Sequence, residues 1–143
     1  MSTELRQLYQ AAIIEHGKRP RNFRRLNGHA KTAEGSNPLC GDTVTVYVDL
    51  TGGVLRDVAF QGSGCALSTA SASLMTEALK GKSLPEALQL CEVFHGLVTA
   101  GPQASDVSQL GTLAAFGGVR AFPSRRKCAL LAWQTLQAAL KGD

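Results

Sequence analysis

Three of the four cysteines in this 143-residue chain sit where backbone or charge favours a reactive sulfur. Cys40 lies in the turn Asn37-Pro38-Leu39-Cys40-Gly41-Asp42, which opens a valine-rich run. Cys65 follows Gly62-Ser63-Gly64 at a strand-to-helix junction, and Cys128 directly follows Arg125-Arg126-Lys127 in the first turn of the last predicted helix. A helix N-terminus and neighbouring cations both favour the thiolate, the form that binds metals and attacks electrophiles. The glycines beside Cys65 allow the backbone to come close to a metal or a bound sulfur.

Asp42, two positions after Cys40, has two readings. It is a turn aspartate bonding its own backbone, or a carboxylate aimed at the same metal as the sulfurs. The spacing is not a compact C-x-x-C pair, so the fold must bring the ligands together. Zinc or an iron–sulfur cluster suits such thiolates. Cys91 differs, since LQLCEVF places it in the middle of an amphipathic helix beside Leu88 and Phe94, where a buried thiol is inert. His16, His29 and His95 are poor ligand candidates, two of them falling near predicted helix ends, where an imidazole has electrostatic reasons to be. Trp133 belongs to core or interface packing.

The elements that must position these groups are readable from pattern. Leu5, Leu8, Tyr9, Ala12 and Ile13 recur at helical spacing over residues 3–16, with Gly17 and Pro20 as the expected stop. HAKTAEG reads as a short strand and TVTVYVDL (43–50) as a longer one, with Val44, Val46 and Val48 on one face and Thr45 and Tyr47 on the other. Thr51-Gly52-Gly53 reads as a hairpin turn into a returning strand over 54–62. A helix is expected to begin near Cys65 and stop at Gly81. Another follows Ser83, with Pro85 and Glu86 in its first turn. Residues 98–112 read as an irregular connection and residues 112–118 as a short helix. Ser124 opens the last helix, with Cys128, Leu131, Leu136 and Leu140 along one side. The class is α+β: a small three-stranded antiparallel sheet with an N-terminal helix and C-terminal helices packed on it.

Composition narrows the function classes. A hydrophobic fraction of 44% and a charged fraction of 18% are ordinary for a globular protein, and the length suits a single domain over 1–143 with a core that needs no disulfide staples. No segment is long and apolar enough for a bilayer, and the polar start MSTELRQLYQ lacks a signal-peptide core, so a cytoplasmic location is expected. Reduced thiols there favour metal binding or chemistry over disulfides. The net charge of +4 concentrates in Lys18, Arg19, Arg21, Arg24, Arg25 and Lys31 and in Arg125, Arg126 and Lys127. Few aromatics and no base-reading motif accompany them, so a solvated face or an acidic protein partner is expected rather than nucleic acid.

NPLCGD, GSGCALSTASASLMTEALKGK and RRKCALLAW, in this order and across nearly the whole chain, resemble the IscU/NifU-like iron–sulfur assembly proteins, and within them the SufU-like branch. Residues of roughly 98–116 look like the SufU-type insertion. IscU-like scaffolds carry a histidine immediately before the last cysteine and a Leu-Pro-Pro-Val-Lys chaperone motif upstream. This chain has Lys127 at the first place and AFPSRRK in the second region. The resemblance implies a SufE/NifU-like fold and one Zn²⁺ held by Cys40, Asp42, Cys65 and Cys128, a tetrahedral set of three thiolates and one carboxylate. Arg125, Arg126 and Lys127 would offset the excess negative charge. It implies further that Cys40 accepts persulfide sulfur from a SufS-like cysteine desulfurase and that sulfur passes to a SufB-containing assembly complex. Arg125 is implied at the partner interface. The alternative is a scaffold on which a [2Fe–2S] or [4Fe–4S] cluster is built and passed on.

Overall fold

A computed structural model describes residues 3–28, 30–38, 41–99 and 110–141. Helix α1 (Thr3–Lys18) leads to strands β1 (Lys31–Asn37), β2 (Asp42–Thr51) and β3 (Val54–Ser63), then helices α2 (Ala66–Leu79) and α3 (Leu84–Thr99). A 3-10 helix (Gly111–Ala121) precedes the last helix, α4 (Pro123–Lys141). The architecture is the α+β arrangement that the sequence predicts.

The strands form one antiparallel meander in the order β1-β2-β3. Thr51 pairs with Val54 across Gly52 and Gly53, whose φ angles of 62° and 78° are those of a two-residue primed hairpin turn. The period of two places Val44, Val46 and Val48 on the buried face, where Val58 and Phe60 face them from β3. On the other face Tyr47 donates to Gln61 Oε1 at 3.0 Å. The outer edge of β3 is covered by the link after α1, where Phe60 N–H donates to the Asn22 carbonyl and Arg24 N–H to the Phe60 carbonyl, both at 3.0 Å. This covering removes an edge that would otherwise offer unpaired backbone groups.

The helices close over the valine face. Trp133 of α4 stacks on Phe94 of α3 with centroids 4.3 Å apart, and Phe116 of the 3-10 helix meets Phe94 edge-on at 5.6 Å. The buried indole N–H is satisfied by Ser71 Oγ at 3.0 Å, and Ser71 in turn donates to the Ala129 carbonyl at 2.6 Å. Trp133 is therefore core, as expected. Ser83 and Glu86 form the anticipated capping box at the start of α3. Glu86 Oε1 accepts from the Ser83 N–H at 3.0 Å, and Ser83 Oγ accepts from the Glu86 N–H at 3.3 Å.

Four expectations about element ends are corrected. Gly17 does not stop α1, which runs on to Lys18 just ahead of Pro20. The glycine is there for proximity, because a Cβ at Gly17 would lie 3.0 Å from the Ala66 carbonyl oxygen of α2. The connection after α3 is regular at both ends, since Val98 and Thr99 continue α3 and the 3-10 helix starts at Gly111. Residues 100–109, within the suggested insertion, lie outside the described residues. Finally, α4 begins at Pro123, a residue suited to a first helical position, so Cys128 stands in the second turn instead of the first.

Candidate metal centre

Three elements converge at one end of the sheet. Thr43 at the start of β2 pairs with Ser63 at the end of β3, which sets Gly64 and Cys65 beside Asp42. Asn37, the last residue of β1, pairs with Asp42 itself. Asp42 shares its strand face with Val44 and Val46, so its side chain goes inward and is only 1% exposed. On that face α4 brings Cys128. The result is that one carboxylate oxygen of Asp42, Cys65 Sγ and Cys128 Sγ lie within 4.8 Å of one another.

Asp42 is fastened from the β3–α2 junction. Its Oδ1 accepts the Cys65 N–H at 2.9 Å, and its Oδ2 stands 3.9 Å from Cys65 Sγ. Cys65 is the N-cap of α2, its sulfur accepting the Ser68 N–H at 3.4 Å. Gly64 makes this approach possible: a Cβ there would stand 2.8 Å from Asp42 Oδ1. Asp42 and Cys128 are buried and Cys65 is exposed, so the group opens to the surface on the Cys65 side.

The donor set fits a thiophilic metal. A tetrahedral Zn²⁺ with ordinary bond lengths would separate two sulfurs by about 3.8 Å and a sulfur from a carboxylate oxygen by about 3.5 Å. The observed sulfur–oxygen separation of 3.9 Å is within a small adjustment of that. A nearly fully buried carboxylate also calls for a cation or a full set of donors. Among the described residues, the hydrogen bond recorded to Asp42 from a backbone donor is that of Cys65. Three corners of a tetrahedron are thus available. Cys40, expected as the fourth, lies outside the described residues, as do Leu39 and His29.

The remaining candidates separate cleanly. Arg125 is exposed one turn before Cys128, with its guanidinium carbon 5.0 Å from the centroid of the Phe122 ring. Phe122 is itself half exposed at 50%. Cys91 is buried in the core, and burial followed by the nearby Glu92 charge pushes its thiol up to about 12. His95 is exposed on α3. His16 is buried, with Nδ1 2.6 Å from Ser73 Oγ, and among the described residues it is not part of the Asp42–Cys65–Cys128 group. Burial, then Arg21, holds its pKa below 6.5, which corrects the reading of a partly charged imidazole at a helix end.

Asn37, the strand partner of Asp42, is a neighbour of the site that sequence reasoning passed over. It is 6% exposed, and its Nδ2 is buried with no hydrogen-bond partner among the described residues. An asparagine ahead of a turn looks like ordinary turn chemistry, and only the rung it shares with Asp42 distinguishes it.

The NifU-like N terminal domain family matches residues 8–129 of this chain. The iron-sulfur cluster assembly scaffold protein IscU of Streptococcus pyogenes serotype M1 is 40% identical over 139 residues, covering 97% of this chain and 86% of that protein. The zinc-dependent sulfurtransferase SufU of Bacillus subtilis is 39% identical over 136 residues, covering 95% and 91% respectively. Among solved structures, FiSufU of Fervidobacterium islandicum AW-1, assigned as an iron-sulfur cluster assembly scaffold for the SUF system, superposes with a TM-score of 0.85. It is 38% identical and covers 94% of this chain and 98% of that one. A NifU-like N-terminal protein from Brucella abortus, 24% identical over 97% of this chain and 96% of its own, shares the fold with a TM-score of 0.84.

Proposed function

This chain belongs to the NifU-like N-terminal domain family of iron–sulfur cluster assembly proteins, and on that footing we propose that it is a zinc-dependent sulfur carrier. The observation that carries the reading is the meeting of Asp42, Cys65 and Cys128 donors within 4.8 Å, with Cys40 two positions before Asp42 in sequence. In this proposal Cys40, Asp42, Cys65 and Cys128 hold one Zn²⁺, which when bound keeps the cysteine sulfurs as thiolates. The chain is one domain over 1–143, with a SufU-type insertion around 98–116.

The chemistry asked of Cys40 is thiolate displacement at sulfur. Cys40 Sγ attacks the outer sulfur of a persulfide on a SufS-like cysteine desulfurase. The new Cys40 S–S bond forms as the desulfurase S–S bond breaks, and the electron pair leaves on the desulfurase thiolate. No external oxidant or reductant is needed, because the sulfane sulfur keeps its oxidation state. Asp42, fastened by the Cys65 N–H, and Cys128, built into a helix, are suited to staying. Cys40, next to Gly41 in sequence, is the ligand suited to leaving. Arg125 with the exposed Phe122 supplies a cationic and aromatic contact for the desulfurase next to the site. The sulfur then passes to a SufB-containing assembly complex.

The second reading, a scaffold that builds and releases a [2Fe–2S] or [4Fe–4S] cluster, is favoured by the 40% identity to a scaffold protein. Lys127 immediately before Cys128 speaks for the carrier, since it supplies no imidazole ligand there. Metal analysis of the purified protein, with detection of a persulfide on Cys40 after incubation with a desulfurase and L-cysteine, tests the proposal. Zinc near one equivalent and a persulfide lost in Cys40→Ser are expected. A Cys40→Ser variant that accepts sulfur and stimulates the desulfurase as wild type does would overturn the acceptor assignment.

A further inference from the structure

The two sulfurs of the donor group are held together by contacts that owe nothing to a metal. Cys65 caps the N-terminal end of α2, and Cys128 stands in α4 one residue before Ala129. Ser71 Oγ of α2 donates to the Ala129 carbonyl at 2.6 Å, and the Trp133 indole N–H of α4 donates to Ser71 Oγ at 3.0 Å. Both bonds are buried, so they fix α2 against α4 whether or not the site is loaded. The Cys65 N–H is tied to Asp42 Oδ1 at 2.9 Å in the same metal-independent way. An emptied site therefore keeps Cys65 Sγ and Cys128 Sγ within 4.8 Å of each other. A disulfide bond is about 2.05 Å long, which leaves at most about 2.8 Å to close. The Cys65 sulfur can make that approach by giving up its long 3.4 Å contact from the Ser68 N–H.

The pair differs in access. Cys65 is exposed, whereas Cys128 is only 5% exposed. A small oxidant arriving from solvent meets the Cys65 sulfur first and finds a second sulfur directly behind it. An accessible thiolate with a resolving cysteine at its side is the arrangement on which reversible cysteine oxidation depends. Cys91 is buried in the core and takes no part.

We propose that Cys65 and Cys128 form an oxidation site for hydroperoxides, in which Cys65 is oxidised first and Cys128 resolves it as a disulfide that empties the metal centre. The Cys65 thiolate attacks one oxygen of hydrogen peroxide. An S–O bond forms as the O–O bond breaks, and hydroxide leaves. The Cys128 thiolate then attacks the Cys65 sulfur, forming the S–S bond as the S–O bond breaks and a second hydroxide leaves. Two protons from solvent turn the hydroxides into water. The peroxide gains two electrons and the two sulfurs lose one each. With both thiolates withdrawn, Asp42 is the one member of the described donor group that remains, too few to retain zinc. A dithiol reductant restores both thiolates by exchange, so the loss is reversible. The inference rests on the metal-binding part of the sulfur-carrier reading and makes that carrier one that peroxide switches off.

The test treats zinc-loaded full-length wild type with hydrogen peroxide and follows zinc release with a chromogenic chelator. Trypsin puts each cysteine on its own peptide, with Cys65 in 57–80 and Cys128 in 128–141, so mass spectrometry without reduction identifies any linked pair. Zinc release should rise together with the linked 57–80 and 128–141 peptides, and dithiothreitol with added zinc should reverse both. Cys128→Ser should lose the linked pair and accumulate a dimedone-reactive sulfenic acid on Cys65. Cys40→Ser should keep the linked pair. In wild type, a disulfide that has Cys40 in place of either partner would overturn the inference. So would zinc release without a disulfide, or a disulfide that forms while zinc stays bound. These deciding readouts come from the wild-type protein and do not depend on any variant folding. If loading gives no bound zinc while metal-depleted protein still forms the pair, the zinc-carrier reading fails and the oxidation site stands. If zinc binds and the pair does not form, this inference alone fails.

Discussion

Asp42 and Cys65, separated by 23 positions, are joined twice: Cys65 N–H reaches Asp42 Oδ1 at 2.9 Å, and Cys65 Sγ stands 3.9 Å from Asp42 Oδ2. The carboxylate thus orients one sulfur while presenting its second oxygen beside it. Asp42→Ala removes both, and Asp42→Asn keeps the shape but not the charge. Zinc retention should fall for both, with Asp42→Ala losing at least the about 10–100-fold typical of an outer partner's removal. Chelator competition with metal analysis measures it, and unchanged affinity in Asp42→Ala counts against direct ligation.

Gly64 is required by the same contact. A Cβ placed 2.8 Å from Asp42 Oδ1 forces the buried carboxylate aside, while the strand and helix on either side keep their own hydrogen bonds. Gly64→Ala should lower zinc retention by about tenfold or more, in line with other groups that orient a ligand. The far-ultraviolet spectrum should remain that of wild type. A variant that binds zinc as tightly as wild type would show that Asp42 is not held through this approach.

Cys91 should be chemically silent. Its burial among Leu90, Phe94 and the rest of the core, together with a thiol pushed up to about 12, leaves almost no thiolate at neutral pH. Alkylation of metal-depleted native protein at pH 8, followed by mass spectrometry, should label the exposed Cys65 and spare Cys91. Cys91 should react only after denaturant is added. Comparable labelling of the two in the native state would remove Cys91 from the core.

His16 makes stability depend on pH in a defined direction. Burial and then Arg21 lower its pKa from 6.5, outweighing the upward pull of Glu77 and Glu15. A base with a lowered folded pKa is kept neutral by the fold, so the unfolded chain takes up the proton first as pH falls. The associated stability is fully present above pH 6.5 and is lost as pH drops from there toward the lowered folded value. The thermal midpoint of wild type should fall between pH 7.5 and 5.5. His16→Asn, which can still meet Ser73 Oγ, should show a shallower fall, and parallel profiles for the two proteins would refute the assignment.

Local chemistry was legible where it is local. The alternating valines of β2, the Gly52-Gly53 turn, the Ser83–Glu86 capping box and the junction at Cys65 each depend on neighbours within a few positions. Their patterns therefore survive in one dimension. Gly17 was misread for the complementary reason: in sequence a glycine near a helix end resembles a stop, and only the approach of Ala66 on α2 reveals a packing glycine.

By itself the sequence determined the α+β class, the order of strands and helices, and the three places where a sulfur follows a turn or a cationic run. Only tertiary structure decided which groups meet. The pairing of Asn37 with Asp42 and of Thr43 with Ser63 sets β1, the start of β2 and the Cys65 junction side by side, and α4 adds Cys128 from above. A period of two says which residues share a face but not which face a helix will cover. That choice is made by burying Val44, Val46, Val48, Phe94 and Trp133 together, and it draws the Asp42 carboxylate inward to the sulfurs with the apolar side chains around it.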